Sequence, residues 1–241
     1  MEALEMKKAV RKAAATALLL GASAVFSGKA AEAAFSTDIV GRTAITSFKA
    51  MVEALEFPPV IDEMEKTWIL TAPDGEAAFW WRNEASGHRM FDVYLCFDAE
   101  PFVKAGLDLN KLPAEMKGML EERGKLMVGK KLSKEPLVYD GEITAVSSFE
   151  QIVKLDRESV GYHSALDHYG VTVAEGNLVE WAKDMSKNDK DLVFVLDPKI
   201  FIDAGVDPAK AEGWVYAKVP LEDANGRKFE AEKFLKPFDL K

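Results

Sequence analysis

Two spacings of apolar residues alternate along this chain, one typical of helices and one typical of strands, and they predict where each element lies. Residues 43–55 follow the helical spacing and place their apolar side chains on one face. These side chains are Ile45, Phe48, Val52 and Leu55. Pro58 and Pro59 then end the helix, because proline cannot donate a helical hydrogen bond. A second, longer helix is predicted over residues 148–168.

Two hairpins are predicted from short apolar runs that flank a turn. Residues 68–72 and 76–81 surround Asp74 and Gly75, and Asp-Gly between apolar runs is typical of a tight turn. The same arrangement recurs in residues 169–182, with Glu-Gly at the turn.

The most informative pattern is an internal repeat. Residues 92–108 and 191–207 align without a gap and are identical at six of 17 positions. The identical pairs are Asp92 and Asp191, Asp98 and Asp197, Phe102 and Phe201, Ala105 and Ala204, Gly106 and Gly205, and Asp108 and Asp207. Sparser matches upstream extend the repeat and align Trp80 with Trp181. The first copy carries extra residues around 115–123.

The repeated segment predicts a strand that is apolar on both faces, followed by a short helix. Asp98 and Asp197 are expected as its N-caps, and Gly106 and Gly205 as the left-handed residues after its end. Asp108 and Asp207 are expected as caps or turn formers. Final strands are predicted at residues 125–132 and 214–219, and the tail, residues 229–241, as a short helix and an extended segment.

Each copy therefore predicts the element order α-β-β-β-α-β. The predicted fold class is α+β, an internally duplicated module with mainly antiparallel sheet and helices packed on it. Residues 34–140 form module 1 and residues 141–241 form module 2. The two are expected to pack as one pseudo-twofold unit with a groove between them.

The N-terminus has the features of a signal peptide. A basic cluster in residues 7–12 precedes the uncharged, Ala- and Leu-rich residues 13–27, and Ala31-Glu32-Ala33 is typical of a cleavage site. Residues 1–33 are therefore predicted to be removed, which makes the protein periplasmic or secreted and leaves no membrane span; an uncleaved anchor is the alternative. Met6 is an alternative start to Met1.

The charge balance restricts the class of partner. The chain has 31 basic and 40 acidic side chains and a formal net charge of −9. An acidic surface repels phosphate backbones and anionic lipids, so nucleic acid is not an expected partner. The single cysteine, Cys96, cannot form an internal disulfide, and stability must come from an ordinary core.

Few residues suggest chemistry, and no known catalytic or metal motif is present. His163 and His168 are five residues apart, a poor spacing for a metal pair on the predicted helix, so no metal and no cofactor are expected. Cys96 is expected to be a buried thiol rather than a nucleophile. The paired Asp98 and Asp197 could support acid–base chemistry, although capping explains them.

The aromatic residues give the candidate binding residues. Trp80 and Trp81 are adjacent in a strand and face opposite sides. Because Trp80 aligns with Trp181, Trp80 is expected in the core and Trp81 on a surface. Trp81, Arg82 and His88 are therefore the predicted binding residues; in the alternative, Trp81 packs against the other copy.

These observations predict an exported, soluble, non-enzymatic binding module of the cell envelope. Its partner, an unknown small ligand or an envelope protein, would bind at or near the groove between the repeats. Two alternatives stay open: a structural or assembly factor that acts by protein–protein contacts, through an exposed sheet edge for example, and an exported enzyme with an unrecognised site. A packed seam between the copies would favour protein contacts, and an open cleft would favour a ligand.

Overall fold

A computed structural model of the protein describes residues 37–82, 91–132, 141–163, 166–185, 190–222 and 227–240. The predicted leader and His88 lie outside these residues. Within them, five helices and two antiparallel sheets form an α+β fold, as predicted. The helices are α1 (Thr37–Ala54), α2 (Glu100–Lys104), α3 (Ala114–Arg123), α4 (Ala145–Leu155) and α5 (Lys199–Asp203). None of the helices in the described residues is both long enough and apolar enough to cross a membrane.

The first sheet belongs to residues 37–132, which we call the first half. Its strands are β1 (Val60–Asp62), β2 (Thr67–Thr71), β3 (Ala77–Arg82), β4 (Val93–Phe97) and β5 (Leu126–Lys130). They lie in chain order across the sheet, so β1 is one edge. Every residue of β4 is buried, and β4 is paired on both sides, as its apolar sequence predicts.

The second sheet belongs to residues 141–240, the second half. Its strands are β6 (Val160–His163), β7 (His168–Ala174), β8 (Asn177–Ala182), β9 (Leu192–Leu196), β10 (Val215–Glu222) and β11 (Lys228–Phe238). Their order is β10-β11-β9-β8-β7-β6. Both predicted hairpins are confirmed, with Gly75 at φ 75° and Gly176 at φ 73° in the turns.

The prediction of one long helix over residues 148–168 is wrong. Helix α4 ends at Leu155, and the chain then forms the hairpin β6–β7, in which His163 pairs with His168. Asp167 closes that turn at φ 53°, a conformation outside the helical region. The run between Val160 and Val171 is rich in β-branched, aromatic and glycine residues, which favour a hairpin over a helix.

The short helix predicted in the C-terminal tail is also wrong, whereas the predicted extended segment is confirmed. The tail forms the long strand β11, not a helix, and its end pairs with β9 through Phe234 opposite Leu196. In the first half, β5 pairs with β4 through Leu126 opposite Phe97. β11 therefore takes the place beside β9 that β5 takes beside β4, and the strand predicted at residues 214–219 is present as β10 at the sheet edge.

The N-cap predictions for both short helices are wrong. Helix α2 begins after Ala99 without a side-chain cap, and the Asp98 carboxylate accepts a hydrogen bond from Lys125 instead. Helix α5 begins after Pro198, also without a side-chain cap, although the Asp197 carboxylate one residue earlier accepts a hydrogen bond from the Lys199 amide at 2.9 Å. The positive φ angles predicted after α2 and α5 are confirmed at Gly106 (107°) and Gly205 (104°). Short 3-10 turns follow at Leu109–Lys111 and Pro208–Lys210, capped by Asp108 and Asp207 as predicted.

A single hydrophobic core joins the two halves. Phe48 of α1 stacks on Phe149 of α4, with ring centroids 3.8 Å apart. Phe48 also contacts Trp181 in the second sheet, and Phe149 contacts Trp81 in the first. Each long helix therefore packs on the sheet of the other half.

The extra residues 115–123 of the first half form most of helix α3. Met119 of α3 packs against Tyr94, Cys96 and Met127, so this helix covers the outer face of the first sheet near β4 and β5.

Candidate functional site

The strand register reverses the predicted roles of the two adjacent tryptophans. Trp81 lies opposite Val93, and Trp181 lies opposite Leu192, the residue that aligns with Val93 in the repeat. Trp81, and not Trp80, therefore occupies the position of Trp181. Trp81 is 0% exposed, whereas Trp80 is only half-buried on the opposite face. The expectation that Trp80 is the core residue and Trp81 a surface residue is wrong.

Trp81 connects the first sheet to helix α4 of the second half through a hydrogen bond. Its indole nitrogen donates a hydrogen bond to the carbonyl of Ala145 at 3.1 Å. In the other direction, the indole of Trp181 donates to the Ser47 hydroxyl at 2.8 Å. These two bonds match the alternative in which Trp81 packs against the other half.

Arg82 is also buried, at 6% exposure, and its guanidinium forms hydrogen bonds within the protein. It donates hydrogen bonds to the carbonyls of Phe91 (2.7 Å) and Glu65 (2.8 Å). Burial lowers the pKa of Arg82, while Tyr94 and Asp92 nearby favour its charged form. His88 lies outside the described residues, and the other two predicted binding residues, Trp81 and Arg82, are both buried.

The interface between the two halves around residues 102–108 and 201–207, which we call the seam, is filled by backbone groups and aromatic rings. The Asp108 amide donates to the Ala204 carbonyl at 2.9 Å, and the Asp207 amide donates to the Ala105 carbonyl at 2.8 Å. Phe102 stacks on Phe201 with centroids 4.6 Å apart. A Cβ atom on Gly106 would lie 2.9 Å from the Gly205 carbonyl oxygen, and one on Gly205 would lie 3.0 Å from that of Gly106. Around these residues the seam is packed, without room for a ligand.

Two lysines add ion pairs between the two halves. Lys130 of β5 pairs with Asp156 of the second half at 2.6 Å. Lys236 of β11 is 2% exposed and pairs with Glu76 and, at 2.8 Å, with Asp74 at the hairpin turn of the first half.

His163 and His168 are neighbours across a hairpin and not residues of one helix. Nδ1 of His163 lies 3.4 Å from the carboxylate of Glu180, and all three side chains are buried. The described residues contain no group of three or more histidine, cysteine and acidic side chains that could hold a metal ion. Cys96 is buried, as predicted, and burial raises its pKa to about 11, which disfavours the reactive thiolate.

An open groove of about 490 Å³ lies between α5 and the β10–β11 hairpin. Its lining residues are Asp197, Pro198, Lys199, Ile202, Asp203, Lys218, Glu230, Ala231, Glu232 and Lys233. Lys199 pairs with Asp203 at 2.5 Å, and Lys233 donates to the Gly176 carbonyl at 2.9 Å. Because these charged groups already have partners within the protein, the groove does not favour a particular ligand.

The most exposed apolar side chains in the described residues lie around β1. Met64 is 88% exposed, Phe57 74% and Val60 60%, whereas no other large apolar residue described exceeds 45%. Val60 lies opposite Ile69, and Ile69 opposite Trp80, so these three share the outer face of the first sheet. We call these five residues the β1 patch.

Sequence reasoning missed the β1 patch. The sequence pattern marks Pro58 and Pro59 only as a helix end, and the three residues of β1 are too few for a strand pattern. One signal was available in the sequence. The predicted hairpin β2–β3 leaves one edge of β2 without a hydrogen-bonded strand, which indicates a further strand beside it.

Acidic residues lie close in sequence to Phe57, Val60 and Met64 of the β1 patch. They are Glu53, Glu56, Asp62, Glu63 and Glu65. The nearby cations are paired: Lys66 lies 2.9 Å from Glu63, and Lys49 lies 3.8 Å from Glu53. Arg123 also pairs with Glu65, at 3.3 Å, so three cations balance three of the five acidic side chains and the charge near the patch stays net negative.

No protein-family model matches this chain, and neither a curated protein nor a solved structure shows significant similarity to it.

Proposed function

We propose that this protein is a non-enzymatic binding module of the cell envelope that acts through protein–protein contacts. The packed seam carries this proposal. The reciprocal hydrogen bonds of Asp108 and Asp207 and the stacked pair Phe102 and Phe201 fill the region where the sequence predicts a ligand groove. The β1 patch supports the same function, since a concentrated set of exposed apolar side chains is typical of a protein-binding surface.

We further propose that the two halves arose by duplication of one module. Gly106 and Gly205 share a positive φ and a mutual close contact. Asp92 and Asp191 are both buried. Asp92 accepts a hydrogen bond from the backbone amide of Leu132, and Asp191 accepts one from that of Leu240, each near the end of its half. These shared details are not required by an α+β fold in general.

Export is the third part of the proposal and depends on the basic and apolar pattern of residues 1–33. Cell fractionation and mass spectrometry of the N-terminus test it. We expect the protein outside the cytoplasm with Ala34 as its first residue. A cytoplasmic protein with an intact N-terminus would contradict export.

The binding proposal is tested on the mature chain, residues 34–241, by two parallel measurements. Chemical cross-linking in envelope extract should give a stoichiometric adduct with another protein. Thermal-shift screening against metabolites should give no stabilisation, because ligand binding raises the melting temperature. A metabolite that stabilises the protein, together with the absence of any protein adduct, would favour the small-ligand function instead.

A further inference from the structure

The β1 patch limits the kind of partner that it can bind. Its edge strand has only three residues, Val60–Asp62, and Pro58 and Pro59 before it have no amide hydrogen. A short edge next to proline offers little backbone for an added strand. Recognition at this surface must therefore depend on side chains.

The apolar row of the β1 patch has the dimensions of a helix contact. Val60, Ile69 and Trp80 lie on three adjacent strands, so the row extends about 10 Å across the sheet. Met64 and Phe57, the two most exposed members, lie on either side of Val60 in the chain. An amphipathic helix with apolar residues at successive turns presents a stripe of this length.

The charge near the β1 patch indicates the polar part of the partner. Glu56 and Glu63 are exposed beside the patch, and the whole chain has a net charge of −9. Lysine and arginine next to the apolar stripe of a partner would be attracted to this negative charge, and acidic residues would be repelled.

We propose that the β1 patch is the docking surface for an amphipathic helix of a partner protein, with an apolar stripe flanked by lysine or arginine. This inference rests on the proposed protein-contact function and adds the surface and the chemistry of the partner. Phe57, Val60 and Met64 contact the apolar stripe. Glu56 and Glu63 attract its basic flanks.

The first test uses two synthetic helical peptides and the mature chain. One peptide carries leucine on one face and lysine on the other; the second replaces every lysine by glutamate. Fluorescence anisotropy should show saturable, salt-sensitive binding of the lysine peptide and at least about tenfold weaker binding of the glutamate peptide. Equal affinity for the two peptides would overturn the charge argument.

Matched variants locate the binding surface. Val60→Ser with Met64→Ser should weaken binding of the lysine peptide at least about tenfold, because two apolar contacts are lost. Val103→Ser with Phe229→Ser is the control, since these side chains are 45% and 44% exposed outside the patch. Glu56→Gln with Glu63→Gln should weaken binding and reduce its salt dependence. The proposal fails if the control pair weakens binding as much as the patch pair.

A cross-linking experiment separates failure of this inference from failure of the proposed function. A photoreactive phenylalanine analogue replaces Met64 in one sample and Phe229 in another, and both are irradiated in envelope extract. The inference predicts adducts from position 64 whose cross-linked peptide is a helix with basic flanks. Adducts only from position 229 would overturn the docking surface but keep the protein-contact function. The absence of adducts from both positions, and in chemical cross-linking, would contradict both.

Discussion

Gly106 and Gly205 meet across the seam in a contact that few other residues permit. Both have a positive φ, and each would place a Cβ atom 2.9–3.0 Å from the carbonyl oxygen of the other. A side chain at either position would therefore strain the backbone and separate the halves. Glycine is required here for two independent reasons.

Gly106→Ala is expected to lower the free energy of unfolding by about 2–4 kcal/mol, the sum of left-handed strain and overpacking. Urea unfolding followed by circular dichroism measures it. Gly124→Ala is the matched control, because Gly124 has φ 71° but no atom within 4 Å of the place that its Cβ would occupy. The control should cost about 1 kcal/mol. Equal effects of the two substitutions would show that the seam contact is not tight.

Lys236 is the residue whose charge is most deeply placed between the halves. Lys236→Ala should lower the free energy of unfolding by about 1–2 kcal/mol, because the packing of the buried lysine stem is lost, while Asp74 and Glu76 remain partly solvated at 43% and 40% exposure. Lys218→Ala removes an exposed pair with Glu232 at 3.7 Å and should cost less than about 0.5 kcal/mol. Thermal unfolding compares the two variants. A similar, small loss for both would mean that the buried lysine contributes little.

The two adjacent tryptophans show what a sequence can predict about a single residue. The sequence alignment of the two halves matches one tryptophan of the first half with Trp181. It selects Trp80, because the upstream alignment is one residue out of register. Thr71 lies opposite Ala78, whereas Thr172 lies opposite Leu178, so the second hairpin is one residue shorter, and this difference explains the error. In a strand a slip of one residue exchanges the two faces, so a small error of alignment moves the candidate site from surface to core.

At the scale of elements, the turn before β2 is strained. Lys66 has φ 50°, in the left-handed region that glycine adopts easily. Lys66→Gly should therefore raise the free energy of unfolding by about 0.5–1 kcal/mol, with little loss from its exposed pair with Glu63. Denaturant unfolding tests this. Lys111→Gly, at an exposed position where the structure gives no positive φ, is the control and should stabilise nothing.

Elements with local signals were predictable, and elements that depend on distant partners were not. The hairpins around Gly75 and Gly176 are marked by their turn residues. Helix α4 has a clear start, but its end at Leu155 depends on the packing of the hairpin β6–β7 against α1 and β8. Strand β11 was missed because its order in the sheet, between β9 and β10, follows from tertiary pairing and not from its own sequence.

At the scale of the molecule, the ion pair between Lys130 and Asp156 makes stability depend on pH. Burial alone would raise the pKa of Asp156, but hydrogen bonds from Lys130 and Ser159 outweigh it and lower the pKa below the ordinary value of 3.8. The stabilisation is therefore complete above that value and is lost as the pH falls through the lowered pKa of the folded state.

Asp156→Asn should lower the free energy of unfolding by about 1.5 kcal/mol at neutral pH. The difference in free energy of unfolding from the unsubstituted protein should shrink as the pH falls below about 4. Denaturant unfolding at several pH values measures this. Asp203→Asn, in an exposed pair with Lys199, is the control and should show a small difference at neutral pH. A deficit for Asp156→Asn that is constant down to pH 2 would contradict the assignment.

Because each long helix packs on the sheet of the other half, we expect that neither half is stable alone. Residues 34–140 and 141–241, produced separately, should lack cooperative thermal unfolding, because each sheet then loses the helix that covers it. Mixing the two fragments should restore a one-to-one complex with near-ultraviolet circular dichroism of packed tryptophans. Cooperative unfolding of either isolated fragment would show that its own helix can replace the exchanged one.

The bond from Trp181 to Ser47 spans 134 residues of chain, and that from Trp81 to Ala145 spans 64. Contacts so distant in sequence form slowly, because a long loop must close before any of them contributes. As the chain emerges from the ribosome, the first sheet remains without its covering helix until α4 has been made. The core between the two halves therefore cannot close until residues 145–155 have been made, so the first sheet is the last part of the first half to gain its full protection from solvent.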